Sequence, residues 1–180
     1  MSRIKSALAG LAAIVAWTVL TCDAAAQAPA REGFFIGFGL GWGSLGIEDA
    51  DEREGGAAAY IMIGGALSPR VLLGAESSGW YKEEQGVTVT SSNLSAVAYV
   101  YPNPMGGIFL KGGLGVATLE VDAGSLGSAS DSGLGLTVGA GYDIGFGGRF
   151  ALTPFASFLY GSFDGGSTNT FQLGLGFNWY

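Results

Sequence analysis

The last ten residues of the chain, Phe171-Gln172-Leu173-Gly174-Leu175-Gly176-Phe177-Asn178-Trp179-Tyr180, decide the fold. Large apolar side chains at the odd positions alternate with Gln, Gly, Gly and Asn, and a period of two residues is that of a β-strand. A tilted strand needs about nine to eleven residues to cross a bilayer. Because one face is wholly apolar and the other is small or polar, the segment predicts a strand that faces lipid.

The composition also indicates a membrane protein. The chain has 180 residues, of which 33 are Gly, 12% are aromatic and 13% are charged, with a formal net charge of −7. So few charges are unusual for one soluble domain of this length. After residue 26 the sequence contains no apolar stretch long enough for a transmembrane helix. Lipid satisfies no backbone hydrogen bonds, so strands can cross it only as a closed barrel.

The N-terminus has the features of a secretory signal peptide. Arg3 and Lys5 precede an apolar run over residues 7–20, and Ala24-Ala25-Ala26 offers a cleavage site. We expect residues 1–26 to be a cleaved signal peptide, residues 27–32 a short N-terminal segment and residues 33–180 the barrel. An uncleaved membrane helix is the alternative, although the run is short for one.

Seven further segments also predict strands, most of them with the same alternation, so we predict an all-β fold, an eight-stranded antiparallel up-and-down transmembrane β-barrel. The second and fourth strands alternate too weakly to define an outward face. The predicted strands are Phe34–Gly43, Ala57–Leu67, Val71–Tyr81, Asn93–Tyr101, Ile108–Val121, Leu134–Ile144, Phe150–Phe163 and Phe171–Tyr180.

Long acidic connections alternate with short turns, as in barrels with extended outer loops and tight periplasmic turns. The long connections are predicted over residues 47–56, 82–92, 122–132 and 164–169. The short turns are predicted at residues 68–70, 102–107 and 145–149. Aromatic residues near the strand ends are expected to form two girdles at the membrane surfaces. The outer girdle would contain Trp42, Trp80, Tyr81 and Phe163, and the inner one Phe34, Tyr99, Tyr101, Tyr142, Phe150 and Trp179.

On these features the sequence resembles the small OmpA/OmpX-like family of outer-membrane β-barrels, some of which carry the label porin family. The resemblance covers residues 33–180 and implies the outer membrane of a Gram-negative cell, with both termini periplasmic. It implies contact with outer-membrane lipid and lipopolysaccharide, and with the barrel-assembly machinery during insertion. It also implies that the last strand is the insertion signal, through Phe171, Leu173, Leu175, Phe177, Trp179 and Tyr180.

Large inward side chains are expected to fill so narrow a barrel. The candidates are Phe35, Glu76, Lys111, Asp143, Phe155 and Gln172. Lys111 and Asp143 lie on adjacent predicted strands at equal distances from the centre of the connecting loop. We therefore predict that these two residues form an internal ion pair.

No catalytic or cofactor-binding residue is predicted. The chain contains no histidine, the usual proton acceptor near neutral pH, so we expect no enzymatic activity. The motif Gly41-Trp42-Gly43-Ser44-Leu45-Gly46 matches a dinucleotide fingerprint, but no helix pattern follows it. The first long loop departs from the calcium-loop pattern, which leaves a solvated loop or weak divalent-cation binding. That cation hypothesis concerns Glu48, Asp49, Asp51, Glu52 and Glu54.

The expected function is therefore structural or surface-interacting, through acidic outer loops, with an extracellular ligand that the sequence does not define. No nucleic-acid partner and no cofactor are expected. A narrow porin-like channel for small solutes is the first alternative. A secreted, lipocalin-like barrel that binds a hydrophobic molecule is the second, although it would need more charge on its outer face.

Overall fold

A computed structural model describes residues 29–48, 52–146 and 148–180 of the chain. These residues form nine strands and one 3-10 turn, at Gly124–Leu126. The strands are β1 Gly33–Ile47, β2 Glu54–Ser68, β3 Val71–Glu84, β4 Val87–Val100, β5 Ile108–Asp122, β6 Ser128–Tyr142, β7 Ile144–Gly145, β8 Phe150–Phe163 and β9 Gly166–Trp179. No helix among the described residues is long and apolar enough to cross a membrane, a finding that concerns helices alone.

The strands form a closed antiparallel barrel. Each long strand pairs with the next, and β1 pairs with β9 from Ile36 opposite Trp179 to Ile47 opposite Thr168. The two-residue β7 continues β6 beyond Asp143, since both strands pair with β8 in a single register. Counted with β6 and β7 as one interrupted strand, the barrel has eight strands, which confirms the predicted fold class.

Apolar side chains cover the outside of the barrel. Leu40, Phe38 and Phe177 are 69%, 55% and 53% exposed, whereas inward Phe35 is 1% exposed. In the two strands whose faces the sequence leaves open, Ile61 and Leu94 point outward. A lipocalin-like barrel would place its apolar face inside, so this orientation contradicts the second alternative.

The two ends of the barrel differ. The end that carries Gly33, Tyr180 and the connections after β2, β4 and β7 is called the terminal end below. The opposite end, with the connections after β1, β3, β5 and β8, is called the far end.

The far-end strands are longer than the sequence predicts. The predicted loop over residues 82–92 is a β-hairpin, in which only Gln85 and Gly86 lie between β3 and β4. Both turn residues have positive φ, 52° and 81°, as a two-residue hairpin of matching twist requires. The strands continue to Asp122 and Ser128 around the next connection, and to Phe163 and Gly166 around the last. The far end is thus largely a rim of paired strands.

The predicted girdles are partly wrong. Trp42, Tyr81, Phe34 and Phe150 point outward and are 54%, 45%, 54% and 61% exposed. By contrast, three aromatic residues assigned to the girdles point into the lumen and are at most 2% exposed. These residues are Trp80, Tyr99 and Tyr101.

Two predictions fall on residues that the structure does not describe. The signal peptide, residues 1–26, lies outside the described ranges. So do Asp49 and Asp51 of the acidic connection between β1 and β2.

Candidate functional site

The lumen is filled with side chains. All six residues that were expected to fill it are buried, at 1–7% exposure: Phe35, Glu76, Lys111, Asp143, Phe155 and Gln172. They belong to a larger interior that includes edge-to-face contacts, such as Tyr60 against Phe155 at 4.8 Å between ring centroids. Such packing is what an eight-stranded barrel permits, because its interior is only wide enough for side chains.

An ion pair lies in the middle of the lumen. The Lys111 Nζ atom donates to both carboxylate oxygens of Glu76, at 2.6 and 2.8 Å. Glu76 also accepts a hydrogen bond from Ser78 Oγ at 2.5 Å and one from the Tyr99 hydroxyl. Lys111 Nζ lies 5.1 Å from the ring centroid of Tyr60, a cation–π distance. The pair thus has the additional hydrogen bonds that a buried ion pair needs.

A second polar cluster closes the terminal end, centred on the carboxylate of Asp143. Its Oδ1 atom accepts from Thr153 Oγ1 at 2.7 Å and from Asn178 Nδ2 at 3.2 Å. Its Oδ2 atom accepts from the hydroxyls of Tyr101 and Tyr180, at 2.9 and 2.6 Å. Arg31 completes the cluster through a 3.3 Å salt bridge to Oδ2. We call these six residues the Asp143 cluster.

The prediction that Lys111 pairs with Asp143 is wrong. Lys111 lies opposite Gly139 in the β5–β6 ladder, and Asp143 lies four residues further along its strand. A separation of four residues corresponds to about 13 Å. The sequence-based estimate centred the connecting loop on residue 127, whereas the ladder joins Asp122 to Ser128 and is centred on residue 125. Lys111 therefore pairs with Glu76, and Asp143 pairs with Arg31.

The far end carries most of the charge. Lys82 Nζ lies 2.5 Å from Glu54 Oε2 and also pairs with Glu84. The hydrogen bond from Lys82 holds the pKa of the Glu84 carboxyl below its usual value. The guanidinium of Arg53 donates to the Ser44 carbonyl at 2.6 Å and to Asn169, and so joins the first connection to β9. Among the described residues, no group of three metal-ligating side chains forms.

The residues of the expected insertion signal do not all face outward. Phe171, Leu173 and Leu175 point outward at 40%, 47% and 54% exposure, and Phe177 follows them. Tyr180 points into the lumen and is 1% exposed. The final residue therefore belongs to the Asp143 cluster and not to the outward apolar face.

Two comparisons find no relative. No family model matches the sequence, and no curated protein matches it significantly. Solved structures do match. Ail, the attachment invasion locus protein of Yersinia pestis, superposes with a TM-score of 0.64 at 16% identity, over 82% of this chain and 99% of that chain. Neisserial surface protein A superposes with a TM-score of 0.63 at 13% identity, over 82% of this chain and 97% of that chain.

The chain has the fold of the small eight-stranded outer-membrane β-barrels. Ail was crystallised in complex with the heparin analogue sucrose octasulfate. The present barrel matches nearly the whole of both proteins.

Sequence reasoning missed most of both lumen clusters. Tyr101, Tyr180 and Arg31 carry no motif. The sequence assigns Tyr101 to the inner girdle, because aromatic residues commonly lie at membrane surfaces, and Tyr180 to the insertion signal of the last strand. The available signal was strand parity: Tyr99 and Tyr101 are two residues apart and must share a face. Arg31 precedes β1, where no periodicity indicates a direction.

Proposed function

We propose that this protein is an outer-membrane barrel with a closed lumen, which acts through its far end as a structural or surface-interacting protein. The observation that carries the proposal is the filled lumen, with the Lys111–Glu76 pair and the Asp143 cluster at two levels. These buried side chains leave little room for solute passage, which disfavours the narrow-channel alternative. An apolar outer surface that includes Leu40 and Phe38 supports insertion into lipid.

Export by residues 1–26, insertion by the assembly machinery through β9 and contact with lipopolysaccharide are parts of the same proposal. The outward apolar face of β9 supports the insertion step. With the terminal end in the periplasm, the far end would face the cell's surroundings. The absence of histidine continues to disfavour enzymatic activity.

The charge of the far end favours a cationic partner. The strand ends and connections there contain eleven acidic residues and only two basic ones, Arg53 and Lys82. A sulfated ligand of the kind bound by Ail would be repelled by this excess of carboxylates. A surface that carries amines would be attracted. Weak binding of divalent cations through Glu48, Asp49, Asp51, Glu52 and Glu54 belongs to the same electrostatic proposal.

The test measures attachment of cells that produce the protein to amine-coated and to heparin-coated glass at low ionic strength. We expect the wild type to increase attachment to amine-coated glass alone. A variant with Gln or Asn at Glu83, Glu84, Glu120 and Asp122 should lose that increase. A matched control, Glu32→Gln, removes an acid at the terminal end and should change nothing. Equal attachment of cells with and without the protein would contradict the proposal.

A further inference from the structure

Arg31 enters the barrel from the terminal end and is almost completely buried. It belongs to residues 29–32, which precede β1 and form no strand. Nevertheless it is 2% exposed, and the preceding Pro29 is buried while Ala30 is exposed. Residues 29–32 thus lie across the mouth of the lumen, with Arg31 pointing inward.

The surroundings of Arg31 match the shape of a guanidinium group. Its NH2 atom donates to the Gly106 carbonyl at 3.0 Å and to Asp143 Oδ2 at 3.3 Å, and NH1 donates to the Pro104 carbonyl at 3.3 Å. The guanidinium carbon lies 3.5 Å from the ring centroid of Tyr101. Stacking on a ring while several in-plane donors are engaged requires a planar cation, which an ammonium group is not.

The third nitrogen of the side chain, Nε, has no hydrogen-bond partner among the described residues. The site therefore binds the two terminal nitrogens, which a free alkylguanidinium also offers. Its Nε position marks where the alkyl stem leaves.

The site is held in place without Arg31. Thr153, Asn178 and Tyr180 fix the Asp143 carboxylate. The turn that supplies the two carbonyls is braced by Asn103, whose side chain accepts from the Met105 amide at 3.0 Å and whose carbonyl accepts from the Gly106 amide at 3.0 Å. Removal of the Arg31 side chain should therefore leave an empty site of defined shape.

We propose that the terminal end contains a guanidinium-binding site. Arg31 occupies this site as a tethered ligand, and its binding docks residues 29–32 across the mouth of the lumen. The site binds a free alkylguanidinium once the Arg31 side chain is removed. This inference concerns the terminal end and does not depend on the role proposed for the far end.

Chemical rescue tests the proposal. Arg31→Ala protein, purified from membranes and reconstituted in lipid vesicles, should unfold at a lower urea concentration than the wild type. Millimolar ethylguanidinium should restore the midpoint, whereas ethylammonium at the same concentration should not. The control Arg70→Ala removes an exposed arginine at the same end, and neither ion should change its midpoint.

If Arg31→Ala does not accumulate in membranes, the yield of refolding from urea replaces the midpoint as the measurement. Rescue by ethylguanidinium alone again supports the site. Equal effects of both ions, no effect of either, or an unfolding midpoint of Arg31→Ala equal to that of the wild type would each overturn the proposal.

Discussion

At the scale of single residues, the buried Lys111–Glu76 pair allows a direct test of the contacts inside the lumen. Glu76→Leu leaves the Lys111 ammonium group without its partner, and Lys111→Met does the same to the Glu76 carboxylate, in both cases among buried side chains. Removal of one partner should cost about 3–5 kcal/mol of the free energy of unfolding. The double variant Glu76→Leu/Lys111→Met should cost less than the sum of its single variants, measured by urea titration in lipid vesicles.

A matched cycle with Lys111→Met and Asp143→Leu provides the control. These residues belong to different clusters, so their effects should add to within about 0.5 kcal/mol. Strong coupling between Lys111 and Asp143, or none between Lys111 and Glu76, would contradict the pairing described above.

The sequence identifies Lys111, Glu76 and Asp143 as inward, because strand parity determines which face a side chain occupies. Their partners were not identifiable. A contact across the lumen depends on how far each strand is shifted against its neighbours, and a two-residue error in the centre of one loop moved Asp143 four residues away from Lys111. Arg31 shows the same limit more strongly, since it lies outside any periodic segment.

At the scale of strands, closure of the barrel depends on a close approach of β1 and β9. Gly41 lies opposite Gly174, and a Cβ atom on Gly174 would lie 2.3 Å from the Leu40 carbonyl oxygen. Gly174→Ala must therefore displace the backbone of this pair, and we expect a loss of about 1–3 kcal/mol in unfolding titrations.

The outward-facing Gly112 of β5 is the matched control. A Cβ atom there would have no heavy atom within 4 Å. Gly112→Ala should leave stability unchanged or raise it by about 0.4–1 kcal/mol, through the unfolded state. Equal losses for both substitutions would show that the β1–β9 contact is not the critical one.

The hairpin of β3 and β4 gives a second prediction at this scale. A loop at residues 82–92 would be cut readily by trypsin after Lys82, whereas a paired strand should resist. We expect intact protein in vesicles to resist cleavage there. The variant Gly86→Val should weaken the turn and so permit cleavage after Lys82. Rapid cleavage of the wild type after Lys82 would contradict the hairpin.

The same hairpin should loosen in acid. Lys82 holds the pKa of Glu84 below its ordinary value, so this interaction stabilises the hairpin at pH above the ordinary glutamate range. That stabilisation is lost as the pH falls through the lowered pKa. An NMR titration of the Glu84 side chain should show the lowered pKa in the wild type and an ordinary one in Lys82→Ser. Identical titration curves would exclude the contact.

The sequence indicates only the second strand of this hairpin. Val87-Thr88-Val89-Thr90 alternates, but the charged run Lys82-Glu83-Glu84 next to it is equally typical of a solvated loop. Its strand conformation comes from pairing with Val87, Thr88 and Val89, which no local pattern specifies.

At the scale of the whole molecule, the fold followed from two periodic features, the outward apolar alternation and the spacing of turns. Closure into a barrel was predictable because lipid tolerates no open sheet edge. The role was less predictable, because whether a barrel conducts depends on how its interior side chains pack. In the structure Tyr99, Tyr101 and Tyr180 join the expected residues in filling that space.

Recordings from planar lipid bilayers test the closed lumen most directly. Protein purified from membranes, with its folded state confirmed by a heat-dependent shift in gel mobility, should insert and produce no stable current steps. A variant with Ala at Phe35, Glu76, Lys111 and Phe155, provided that it shows the same mobility shift, should produce steps and so demonstrate that the assay detects an open lumen. Reproducible nanosiemens openings from the wild-type protein would contradict the account.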